Sequence, residues 1–186
     1  MDTSIKHIIL AFVTALIVVL FFGSCKKWFK DEELTLPKTP YSGNKLRLDG
    51  YYYLMNSVCN AFQDTYFFYR DGTVLSCGGS NIEDSLFGYK DEAIRDIISH
   101  GYHQNRKSGW GVFLIEGDSI AIERWWFATE SPGLPVYLLK GVVLNDTTFH
   151  ITSSTWPKTG HVSEKDDVYH FHAFSPKPDS TNIFIP

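Results

Sequence analysis

The chain has 186 residues, a formal net charge of −4 and an aromatic content of 16%. That is the length of one domain plus a tether. A mildly acidic chain with no basic run beyond Lys26-Lys27 argues against nucleic acid as a partner. The aromatic residues fall in short clusters instead of at helical spacing, which favours β structure.

The first 25 residues are ordered as a cationic lead (Lys6, His7), an apolar run over 8–22, and the small residues Gly23-Ser24 before Cys25. This is the layout of a secretory signal, assigned to 1–24. A membrane-spanning helix needs about 20 apolar residues; the run here is shorter and contains Thr14. The alternative is an uncleaved anchor, for which Lys26-Lys27 would be the stop-transfer flank. Phe22-Gly23-Ser24-Cys25 resembles the lipobox of bacterial lipoproteins, with Phe22 where an aliphatic residue is usual. The resemblance implies that Cys25 becomes an acylated N-terminus, palmitate being a typical chain. Several acyl chains give a stable membrane anchor, since each buried CH₂ contributes about 0.8 kcal/mol.

Lys30-Asp31-Glu32-Glu33 is similar to the lysine-plus-acid tract that sends some lipoproteins to the outer face of the outer membrane. Pro37, Pro40 and Gly43 mark a linker, so residues 25–45 read as a lipidated tether that lifts the domain off the bilayer.

Turn signals then divide the chain into eight strand-length pieces: 46–56, 66–69, 73–77, 109–116, 119–126, 136–144, 147–152 and 168–174. Asp71-Gly72, Gly117-Asp118 and Asn145-Asp146 join successive pairs. Asp-Gly between apolar runs is the strongest short hairpin signal. A short amphipathic helix is predicted over 91–100, with Ile94, Ile97 and Ile98 on one face and Gly101 ending it. It is expected on or across a mouth of the sheet. Residues 175–186 form a C-terminal tail after Pro176 and Pro178. Beyond Cys25, Cys59 and Cys77 make an even pair, which in an oxidising envelope invites a disulfide worth about 3 kcal/mol; two buried thiols are the other reading.

Eight strands joined largely by tight turns leave two mainly β architectures, a closed up-and-down barrel or a two-sheet β-sandwich. Leu48-Asp49-Gly50-Tyr51-Tyr52, Phe68-Tyr69-Arg70-Asp71-Gly72-Thr73 and Gly117-Asp118-Ser119-Ile120 resemble lipocalin-like lipoprotein domains of bacterial envelopes. The resemblance implies an eight-stranded antiparallel barrel over 46–174. It departs from the family where tyrosines follow Gly50 in place of Gly-x-Trp, and where the helix falls mid-chain instead of after the last strand.

His150, His170 and His172 would share an outer face if Phe149, Ile151, Tyr169 and Phe171 point inward. Three imidazoles suit zinc, but such a face lacks the dry cavity that metal catalysis needs, and the polar half of an alternating strand pair is the simpler account. Glu116 and Glu123 could pair as glycosidase carboxylates, yet each reads more simply as solvent-facing. Asp84-Ser85-Leu86, Asp118-Ser119-Ile120 and Asp146-Thr147-Thr148 resemble acceptors for envelope O-glycosylation. Trp110, Trp125, Trp126 and Trp156 are candidates for stacking on a ligand or anchoring a protein partner, with core packing as the rival role for each. Trp125 and Trp126 must lie on opposite faces.

The sequence points to no catalytic set and no cofactor. The expected function is that of an envelope lipoprotein, lipid-anchored at the outer membrane and exposed at the surface, binding a small apolar or glycan ligand. The alternatives are an accessory subunit of an outer-membrane protein complex and, more remotely, a zinc-dependent hydrolase. An open lumen would favour the ligand; a packed lumen with an exposed apolar patch would favour a protein partner.

Overall fold

The computed structural model describes residues 30–55, 62–77, 90–127 and 132–186. The leader through Cys25, Cys59 and the Asp84-Ser85-Leu86 motif lie outside the described residues. Eight strands follow one another around a closed barrel: β1 (Gly50–Met55), β2 (Phe62–Phe68), β3 (Thr73–Ser76), β4 (Trp110–Glu116), β5 (Ser119–Trp125), β6 (Val136–Asn145), β7 (Thr148–Trp156) and β8 (His161–Ala173). All neighbours are antiparallel, and β1 closes on β8 with Gly50 opposite Ala173 and Tyr52 opposite Phe171. Closure removes the sandwich alternative. It also explains Gly50: a Cβ there would stand 1.9 Å from the His172 carbonyl oxygen.

The largest difference from the predicted strands is β8, which begins seven residues before 168, at His161. Its early part, His161 to Asp167, is polar and has no apolar run to signal a strand. It is paired all the same, with Trp156 opposite His161 across a turn that Gly160 makes at φ 68°.

Alternation along the strands fills the lumen. Tyr52, Phe68, Phe113, Phe149 and Tyr169 point inward and are at most 2% exposed. Phe68 meets Phe113 edge-on at 4.9 Å, and Phe149 stacks on Tyr169 at 4.7 Å. Such pairs add about 0.5–1.5 kcal/mol each beyond the area they bury.

A second core lies outside the barrel. Tyr51, Phe67, Leu75, Trp110, Val112 and Trp125 point outward from β1 to β5 and are nonetheless buried. Three elements cover them. One is the helix α1 (Lys90–Ser99), whose Ile94 is 1% exposed. Its apolar face packs on the outer wall, not across a mouth as the sequence suggested, because that wall offers the larger apolar surface. Gly101, at φ 61°, ends it, its amide donating to the Ile98 carbonyl at 2.9 Å. The second is the C-terminal tail, which buries Phe174 and Ile185 in the same cluster. There Arg95 of α1 lies 4.7 Å over the Phe174 ring and donates to the Ser175 carbonyl at 2.8 Å.

The third cover is the stretch read as a linker. Residues 30–45 form a strap on the barrel. Glu32 donates its amide to Leu134, accepts from the Trp125 indole at 2.7 Å and accepts the Val136 amide at 2.9 Å. Further along, the Glu123 carboxylate accepts the amides of Thr35 and Leu36 and the Thr35 hydroxyl, at 2.6–2.7 Å. Glu123 is therefore fully buried as a strap anchor, contrary to its solvent-facing expectation. The strap reaches the β2–β3 turn, where the Tyr41 amide donates to Arg70, and crosses beneath the barrel before entering β1.

Cys77 sits in the outer cluster as a buried free thiol, and the disulfide with Cys59 is not shown. Burial pushes its pKa up to about 12, which keeps it protonated and unreactive. Among the described residues no helix is long and apolar enough to cross a membrane.

Candidate ligand site at the barrel mouth

The two ends of the barrel differ. At one end lie the tight turns between β2 and β3, β4 and β5, and β6 and β7, together with the crossing strap. There the Tyr52 hydroxyl donates to the Asp146 carbonyl at 2.6 Å and accepts from the Arg47 amide at 3.0 Å. Lys45 pairs with Asp118, and Arg47 covers the Phe171 ring at 4.4 Å. Tyr41 and Leu46 complete the plug as members of the lumen core. The Asp118-Ser119-Ile120 and Asp146-Thr147-Thr148 motifs belong to turns at this closed end.

The other end carries the β1–β2, β3–β4 and β5–β6 connections, and it opens into a cavity of about 320 Å³. One wall is aromatic: Tyr137 stands between Trp126 and Trp156, with ring centroids 5.8 and 4.9 Å away. Lys165 and Asp167 of β8, the strand paired with that of Trp156, line the cavity too, as do Leu54 and Leu139.

The floor is charged. Arg124 and Asp64, with side chains 7% and 14% exposed, face each other with Nη2 3.4 Å from Oδ2. Asp64 also accepts the Tyr169 hydroxyl at 3.4 Å, the Ser76 hydroxyl at 3.3 Å and the Thr65 amide at 3.0 Å. All but the last are long for such bonds. The Arg124 Nε and the Tyr66 hydroxyl are buried with no hydrogen-bond partner among the described residues. Burial works against the charge on Arg124, but the Asp64 carboxylate beside it favours the charged form; the pKa is raised, so the guanidinium stays protonated. Burial foremost raises the pKa of the Tyr66 and Tyr169 phenols as well, holding them as neutral donors.

An apolar pair of similar volume would commonly stabilise such a fold as well or better than a buried ion pair. A loosely bonded pair with orphan donors at the base of an open cavity is thus more easily explained by binding than by stability.

The four candidate tryptophans, all among the described residues, divide between two roles. Trp110 is fully buried on the outer wall, its indole donating to the Gln104 carbonyl at 2.9 Å. Trp125 is buried beneath the strap, with the Lys107 ammonium 4.4 Å over its ring. Trp126, 40% exposed, and Trp156 line the mouth. The opposite-face placement of Trp125 and Trp126 is as alternation required.

His150, His170 and His172 do lie on the outer face, opposite in parity to Phe149, Ile151, Tyr169 and Phe171. They are drawn to different partners, however. His150 meets Asp166 at 2.8 Å, His172 meets Asp91 of α1 at 2.9 Å, and the His170 ring lies 6.2 Å from that of Tyr53. Among the described residues no group of three histidine, cysteine or acidic side chains is placed to hold a metal.

Asp64, Arg124, Tyr137 and Tyr169 were not singled out in the sequence, though a signal existed. Arg124 shares strand parity with the inward Ile120 and Ile122, and Asp64 with Tyr66 and Phe68. A charge at an inward position of a barrel strand is a functional cue that parity alone reveals.

The molecule is thus a closed eight-stranded antiparallel barrel which, among the described residues, is plugged at one end and holds a cavity over a charged floor at the other. No family model matches the chain, and neither a curated protein nor a solved structure matches it.

Proposed function

We propose that this is an envelope lipoprotein, acylated at Cys25, whose barrel captures a small glycan-type ligand at its mouth and carries out no chemistry on it. The observation that carries the reading is the cavity of about 320 Å³ with an aromatic wall above the Arg124–Asp64 floor. Sugar rings offer CH faces to aromatic side chains and hydroxyls to planar charged groups, and this lining provides both. A long apolar ligand fits less well, because Tyr52, Phe68, Phe113 and Phe149 fill the lumen below.

The strap bears on how the domain would sit. Asp31 and Glu32 are fastened at the mouth end, to Lys107, Leu134 and Lys158. Cys25 precedes Lys30 by five residues, a reach of at most about 18 Å. An acyl anchor at Cys25 would therefore hold the mouth close to the bilayer, and residues 34–43 would not act as a spacer.

The test is intrinsic tryptophan fluorescence of the full-length protein in non-ionic detergent, titrated with neutral mono- and disaccharides. Saturable change that is lost in Trp156→Ala supports capture; a flat response to the whole panel overturns it. An intact mass beginning at acylated Cys25 supports the lipoprotein half, and a chain that retains Met1 sinks it. A second reading, an accessory subunit of an outer-membrane complex, is favoured by the filled lumen and by the exposed Trp126 and Phe127, 40% and 60% accessible at the rim. Under that reading a stoichiometric protein partner co-purifies and the sugar titration stays flat.

A further inference from the structure

A second cavity, of about 250 Å³, adjoins the mouth and shares Arg124 and Trp126 with it. Its other lining comes from the chain between α1 and β4: Tyr102, His103, Arg106 and Ser108. The charges here have one sign. Arg106 is held in place, its guanidinium 3.7 Å over the Tyr102 ring and bonded to the Tyr102 hydroxyl. Arg124 forms the inner side. Among the described residues no carboxylate lines this cavity; Asp64 lines the mouth cavity instead. Hydroxyls of Ser76 and Ser108 complete the polar lining.

Asp64 offsets the charge of Arg124 from the mouth side at 3.4 Å, but among the described residues no carboxylate on this side offsets Arg106, so an anion placed between the two arginines is favoured. Guanidinium groups are also suited to planar or tetrahedral oxyanions, which accept two parallel N–H bonds. Arg124 is 5% exposed, so an anion that reaches it meets a guanidinium shielded from solvent.

We propose that this cavity binds an oxyanion, a carboxylate, sulfate or phosphate group, between Arg106 and Arg124. Because it shares Arg124 and Trp126 with the mouth, a ring bound against the aromatic wall can carry the anion as a substituent. The ligand class is then an acidic sugar or the phosphate-bearing headgroup of a membrane lipid, an extension that rests on the capture reading. The anion site itself rests only on its own geometry.

The experiment compares glucose, glucuronate, glycerol phosphate and inorganic phosphate as ligands of the full-length protein at low ionic strength, followed by tryptophan fluorescence. Glucuronate or glycerol phosphate should bind at least tenfold tighter than glucose, and whichever is tighter identifies the source. Arg106→Gln, a change at an exposed side chain, should remove that advantage and leave glucose binding unchanged. Arg124→Met, of similar volume, should weaken every anion. Phosphate binding without glucose binding leaves the anion site standing and removes the capture reading. Glucose binding with no preference for anions does the reverse. Anion binding that persists in both variants overturns the site, since surface cations would then be responsible.

Discussion

The wall built by β1 to β5 and the wall built by β6 to β8 are the same sheet under different conditions. On the first, outward side chains are as buried as inward ones: Tyr51, Phe67, Leu75 and Trp110 are all 0% exposed. On the second, Leu144 and Val162 point outward and are 56% and 59% exposed. The strap, α1 and the tail lie mainly against the first wall, which is therefore a two-sided core, while the second is covered outside only at its margins, at Val136 and His172. The mouth spans the seam between them, with Arg124 and Trp126 at the end of β5 and Tyr137 and Trp156 on β6 and β7. Stability is thus concentrated on one side of the binding site, and the other side is a single layer.

The largest effect that would test this asymmetry is a matched pair of truncations on outward positions. Trp110→Ala on the covered wall should destabilise by about 4 kcal/mol, as a core tryptophan does. Val162→Ala on the bare wall should change stability by less than about 0.5 kcal/mol. Urea unfolding measures both, and similar losses at the two positions would erase the distinction.

Next comes the strap. Glu123→Ala leaves the amides of Thr35 and Leu36 without their acceptor and should cost about 3 kcal/mol. It should also open residues 30–40 to proteolysis while the barrel stays folded, which limited digestion would show. A strap that remains protected in this variant would mean that Glu123 is not what fastens it.

The third effect is a pH profile. Burial holds the Lys177 pKa down at about 8 against an ordinary 10.5; its ammonium lies against the Leu48 and Phe68 carbonyls. Between those values the unfolded chain binds a proton that the folded chain has released, so stability rises with pH through that window, by roughly 2 kcal/mol. Burial foremost also raises the pKa of Tyr51, Tyr52, Tyr66, Tyr69 and Tyr169. Their phenols ionise in the unfolded chain with a pKa of about 10 and stay protonated in the fold, and because there are five of them stability falls once pH climbs beyond about 9.5. Five phenols outweigh one ammonium before pH 10 is reached, so the urea midpoint should peak between about pH 9 and 9.5, and Lys177→Met should flatten the rising limb. A midpoint that declines steadily from neutral pH contradicts this.

Much of the barrel was legible because its signals are local. The turns at Gly72, Gly117 and Asn145-Asp146, the isoleucine face of α1 and the alternation around Phe149 and Ile151 all act over a few residues. The outer core was not legible. Tyr51-Tyr52-Tyr53 and Tyr66-Phe67-Phe68 marked strands, but nothing in them says what covers the outer side. The strap was misread because Pro37, Pro40 and Gly43 look the same in a free linker as in an extended segment that lends its amides to a buried carboxylate. The mouth was half legible: Trp126 and Trp156 stood out by size, whereas Arg124 and Asp64 needed strand parity to be seen as inward charges.

Native mass spectrometry of the protein purified from its own membrane tests the mouth most directly. Capture predicts a small-molecule adduct on the wild-type chain that disappears in the Trp126→Ala/Trp156→Ala double variant, while Trp110→Ala lowers stability and retains the adduct whenever it is folded. A wild-type chain with no adduct, or an adduct indifferent to both mouth tryptophans, would contradict it.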